Sequence, residues 1–150
     1  MFNADQFLQS TIADANATAV VPVPVGEYQG IIEKVDARQW TSKTDPSKSG
    51  VTLDVTWMIE DEAVKQELGR DKVTVRQGIM LDLDINGGID TGKGKNIGLG
   101  RLREALDMNR PGEVFSFNNL AGRAARVTVT HRFGETPDDV FAEVRQVTKW

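Results

Sequence analysis

The chain has no cysteine and a single histidine, His131. The first absence excludes disulfides, thiolate metal sites and cysteine nucleophiles; the second leaves too few imidazoles for a histidine-built zinc centre. A reducing compartment is the usual setting for such a composition. No segment approaches the roughly 20 consecutive apolar residues that a membrane helix requires, so no membrane association is expected. Residues 1–17 lack the basic start and apolar centre of a secretory leader, and the cytoplasm is the expected location. Lys and Arg are missing from residues 1–27, a stretch that holds Asp5, Asp14 and Glu27.

What remains is a chain of 150 residues with 39% hydrophobic side chains, enough for one ordinary core. The net charge of −4 argues against a partner recruited by bulk electrostatics. Its distribution softens that conclusion. Acidic residues concentrate in 1–27 and 60–71, while cations gather as Arg38, Lys43 and Lys48, as Lys93, Lys95, Arg101 and Arg103, and as Arg123, Arg126 and Arg132.

Residues 1–25 end in Pro22 and Pro24, which stop any helix begun around Ala4–Leu8, and read as an N-terminal arm. A domain over 26–150 follows. Tyr28–Val35 has the β-branched and aromatic content of a strand, with Gly30 marking a bulge or a close backbone approach. Residues 41–50 have turn or mobile-loop chemistry. In 51–60, Val51, Leu53, Val55, Trp57 and Ile59 alternate with polar residues and Met58, the period of a strand with one buried face. Val73, Val75, Ile79, Leu81 and Leu83 repeat the pattern, with Gln77 the odd member and Lys72 and Arg76 on the outer face. Leu99, Leu102, Ala105 and Leu106 recur at helical spacing. Two further alternating runs, Ala125–Phe133 and Val140–Val147, flank a turn at Gly134–Asp139.

The resulting order, β-β-β-α-β-β, predicts a mainly β domain: a five-stranded OB-fold Greek-key barrel with one helix between strands 3 and 4, after an N-terminal arm. A small α+β sheet packed by one helix is the alternative. OB barrels bind oligonucleotides across strands 2 and 3 and through the loops joining strands 1 to 2 and 4 to 5. Here the first loop would carry Arg38, Trp40, Lys43 and Lys48. Strand 3 would present Lys72 and Arg76, and the last hairpin Arg132 and Phe133. Each has a plainer reading: Trp40 could cover the barrel end, and Lys72 and Arg76 could be a solvated strand face. Trp57 belongs to the core, His131 to a hydrogen-bonded core or rim position, and Trp150 to the surface.

Three segments, VGEYQGIIEKVDAR, GVTLDVTWMI, and LAGRAARVTVTHR followed by VFAEVRQVTKW, resemble the small single-stranded DNA-binding proteins of tailed bacteriophages. The likeness spans Val25–Trp150 and rests on strand order and texture. It implies non-enzymatic, largely sequence-independent single-stranded DNA binding in phage DNA replication or recombination, in the host cytoplasm and without a cofactor. Phage or host replication proteins are the implied partners. The chain ends Val147-Thr148-Lys149-Trp150, where bacterial and some phage relatives carry an acidic recruiting tail.

Other chemistry fits less well. Asp82–Asp90 follows the start of an EF-hand loop, but Lys93 stands where the bidentate carboxylate belongs, so a metal-free loop is expected. Gly92–Gly98 matches neither phosphate-binding glycine pattern. Asp138, Glu143 and Arg145 only faintly resemble a metal-dependent nuclease core. A phage interaction or assembly protein without nucleic-acid binding is the main alternative, because fold does not dictate function.

Overall fold

The alternation in residues 51–59 places Leu53, Val55, Trp57 and Ile59 in the interior, each at most 2% exposed. They lie on one strand, flanked on both sides by others. The computed structural model describes residues 1–150. Its strands are β1 (Gly26–Thr41), β2 (Ser49–Ile59), β3 (Thr74–Leu81), β4 (Ala124–Phe133) and β5 (Val140–Thr148). The helices are α1 (Ala4–Leu8), α2 (Glu62–Leu68) and α3 (Ile97–Ala105), with a single 3-10 turn at Phe117–Asn119. None is long and apolar enough to cross a membrane.

The sheet closes into a ring in the order β1-β2-β3-β5-β4, with β4 returning to β1. Long β1 serves two neighbours: Gly26–Ile31 pairs with β4, and Gly30–Thr41 pairs with β2. Glu33 is the extra residue where the β1–β2 register shifts, and the bulge sharpens the strand's bend. Gly30 sits at the turn inward, where a Cβ would lie 2.9 Å from the Trp57 ring and 3.0 Å from Val127. The close approach anticipated there is thus met by its missing side chain. All pairings are antiparallel except β3–β5, which is parallel and touches at one pair, Arg76↔Glu143. The ring is therefore uneven, and α3 packs on both strands where they part.

Val23, Ile32, Leu99, Leu102, Leu120, Val127 and Val129 join the β2 residues in one apolar cluster, so barrel and helix share a core. Burying each large side chain stabilises by about 1.5–3 kcal/mol. The expected helical spacing becomes α3, which buries Leu99, Leu102 and Ala105.

Several expectations need correction. There are three helices, not one. α2 lies in the acidic 60–71 stretch, where no helix is expected: Asp61 caps its start by accepting from the Val64 N–H at 3.0 Å, and Gly69 ends it at φ 66°. α1 forms in the arm, capped by Asn3. Leu83 leaves the inward row of β3 and bridges Ile89 in a small excursion, 39% exposed. The core begins before Gly26, because Val23 is 3% exposed. Two bonds hold it there: His131 Nε2 donates to the Val23 carbonyl at 2.7 Å, and the Tyr28 hydroxyl to the Pro24 carbonyl at 2.8 Å. His131 thus takes the hydrogen-bonded rim position expected of it.

Candidate nucleic-acid interface

Registers define which side chains share the outer face. On β1 and β2 the outward pairs are Lys34↔Thr56, Asp36↔Asp54, Arg38↔Thr52 and Trp40↔Gly50. Across β2 and β3 they continue as Thr52↔Met80, Asp54↔Gly78 and Thr56↔Arg76. The parallel contact then carries Arg76 to Glu143, and β4 sets Arg132 opposite Phe141. Thr52 and Thr56 are buried although they point outward, because neighbouring strands flank them on both sides.

Trp40 and Arg38 belong to β1, not to the loop expected to carry them. Trp40 is half-buried and lies over Gly50, where a Cβ would sit 2.8 Å from its ring atoms. Gly50 therefore makes the recess that receives the indole. The Trp40 Nε1–H is buried and has no acceptor. Two strand positions away, Arg38 donates Nε–H to Asp54 Oδ2 at 3.1 Å. The connection itself is a closed turn: Ser42 N–H meets the Lys48 carbonyl and Lys48 N–H the Asp45 carbonyl, both at 2.9 Å. Asp45 directs its carboxylate to the Ser47 N–H at 3.1 Å and to the Ser47 hydroxyl at 2.5 Å. Lys43 and Lys48 are left exposed and form no ion pair.

Lys72 lies before β3, not on it, and is ion-paired with Glu33. Arg76 is exposed on β3 with no carboxylate partner. Arg132 stands 5.5 Å from the Phe141 ring centroid, with Nε 4.0 Å from Glu143. Phe133 does not share its face: it continues the row of Val129 and His131 past the barrel end and is 73% exposed. The aromatic beside Arg132 is Phe141, which the sequence reading passed over although its alternation with Ala142 and Val144 made it an outward residue of β5. Half of the anticipated cations, Arg38, Lys72 and Arg132, are thus ion-paired, while Lys43, Lys48 and Arg76 form no ion pair.

The two ends of this face are well separated. Val51 pairs with Leu81, so the Lys43–Lys48 turn lies beyond the end of β3; Arg76 pairs with Glu143, so the 134–139 turn lies beyond its start. An eight-residue strand spans roughly 23 Å between them.

The acidic segment after β3 is occupied with itself. Asp84 accepts from the Asn86 and Gly88 N–H groups at 2.9 Å, and Asn96 bonds both the Asp82 and Asp90 carbonyls at 2.8 Å. Asp138 lies in the exposed 134–139 turn and Glu143 on β5. Compared with protein-family models and with curated proteins, the chain matches none.

Proposed function

We propose that the chain is a non-enzymatic OB-fold protein that binds single-stranded DNA across the outer face of β2 and β3. The observation that carries this reading is the arrangement of that face, with Trp40 and the unpaired Lys43 and Lys48 at one end, Phe141 and Arg132 at the other, and unpaired Arg76 between them. The ring order and the single helix between β3 and β4 support the OB assignment. Aromatic rings stack on bases whatever their identity, and cations neutralise phosphates with release of counterions. Such a protein would protect replication or recombination intermediates of a phage in its host's cytoplasm and would need no cofactor.

The ion pairs of Arg38, Lys72 and Arg132 favour a second reading, an interaction protein that does not engage nucleic acid. Tryptophan fluorescence titrated with a single-stranded oligonucleotide, beside duplex and RNA controls, separates the two. Saturable change with the single strand, weakened by salt, supports the first reading. Absence of any response at low salt supports the second.

A further inference from the structure

Beyond Arg76↔Glu143 the strands β3 and β5 part, and a cleft of about 820 Å³ opens between α3 and β5. Its lining shares none of the residues named on the outer face. Arg101 enters it from α3, Arg145 and Lys149 from β5 and the chain that follows it, and none of the three forms an ion pair. Arg145 is the extra residue of a bulge: Thr128 pairs with Gln146 and Val129 with Val144, leaving Arg145 without a partner on β4. A bulge re-aims a side chain, here into the cleft. Of the two acids at its rim, Asp107 is bound by Arg110 Nη2 at 2.6 Å, and Glu104 accepts from Asn109 at 3.3 Å. The cleft is therefore cationic on balance. Through Asp107 it adjoins a smaller hollow of about 460 Å³, lined in part by Leu106, Met108, Val114 and Phe115.

The chain carries a segment of complementary chemistry. Residues 1–21 are exposed throughout, have Asp5 and Asp14 and no Lys or Arg, and present Phe2, Phe7, Leu8 and Ile12 to solvent. Apolar side chains so concentrated on an unpacked segment mark an interaction surface. The segment leaves the barrel at buried Val23, between Pro22 and Pro24, and can extend on the order of 60 Å.

We propose that the arm of one copy docks in the α3–β5 cleft of a second copy, its carboxylates against Arg101, Arg145 and Lys149 and its Phe7–Leu8 pair in the adjoining hollow. The contact is heterologous, arm to cleft, so it links copies head to tail into a closed ring or an open row. It does not depend on the single-strand reading.

Light scattering over a concentration series, with two full-length charge-reversed variants, tests this. Wild type should grow in mass with concentration at low salt and less so at high salt. Asp5→Lys/Asp14→Lys and Arg101→Glu/Arg145→Glu should each weaken self-association by about tenfold or more. An equimolar mixture of the two variants should associate again, because each then supplies what the other repels; this recovery also shows that both are folded. Wild type that stays monomeric overturns the proposal, as does association unchanged in either variant. If the cleft variant loses single-strand binding while its mass behaviour matches wild type, the occupant is nucleic acid and the arm proposal fails.

Discussion

The indole N–H of Trp57 donates to Oε1 of Gln77 at 2.9 Å. The one polar interruption in the inward row of β3 is thus the partner of the largest buried side chain. A fully buried indole without an acceptor would leave a donor stripped of water, so the two residues are matched across β2 and β3.

Gln77→Ala should lower unfolding free energy by about 1–3 kcal/mol, the cost of a buried donor left unpaired. Trp57→Ala should cost about 3–5 kcal/mol by emptying a large site. Urea denaturation measures both. If Gln77→Ala is neutral, the bond contributes nothing net.

Trp40→Ala should remain folded and weaken single-strand affinity by about 1–3 kcal/mol, leaving the salt dependence nearly unchanged, because stacking displaces no counterions. Gly50→Ala should have a similar effect by lifting the indole from its recess. Unaltered affinity in both variants would remove Trp40 from the interface.

The structure ranks the cations. Arg76 has no carboxylate partner, so Arg76→Ala should reduce the slope of log K against log salt by about 0.7. Arg38→Ala and Lys72→Ala should reduce it less, because Asp54 and Glu33 already offset those charges. Equal slopes for the three variants would contradict this order.

Tyr28 is the sole tyrosine, which makes its phenol a clean optical probe. Burial, then the nearby charges of Asp61 and Glu67, raise its pKa above the ordinary 10.0. The neutral phenol is the favoured form in the fold. Stability from this group is therefore complete below pH 10, the unfolded value, and is lost as pH rises through the higher folded value. Absorbance titration should give a midpoint above that of the urea-unfolded chain, and Glu67→Gln should bring it part of the way back. Coincident folded and unfolded midpoints would show that the phenol is not held in this way.

Legibility from sequence followed burial. β2 was plain because one of its faces is interior from Leu53 to Ile59, and α3 because three of its residues are buried at helical spacing. The second half of β1 was not: from Lys34 to Thr41 nothing is fully buried, so no apolar period marked it and Trp40 read as a loop residue. α2 buries only Val64 and so has no repeating stripe, although its Asp61 start and Gly69 stop stood in the sequence. Alternation sets Phe133 in the row of Val129 and His131 and Phe141 outward on β5; what it does not supply is the β4–β5 register that brings Phe141 beside Arg132.

The single contact between β3 and β5 also bears on how the chain folds. β1, β2 and β3 are successive in sequence and pair as a meander, as do β4 and β5, so both pieces can form from local contacts. The two pieces join at six pairs between β1 and β4 and at the single pair Arg76↔Glu143, so closing the β3–β5 seam brings the least pairing in return for its loop-closure entropy. Closure of the seam is then the late event of folding. Substitutions at Glu143 should speed unfolding while leaving the folding rate nearly unchanged, whereas substitutions at Val55 should slow folding, a contrast that stopped-flow kinetics would read directly.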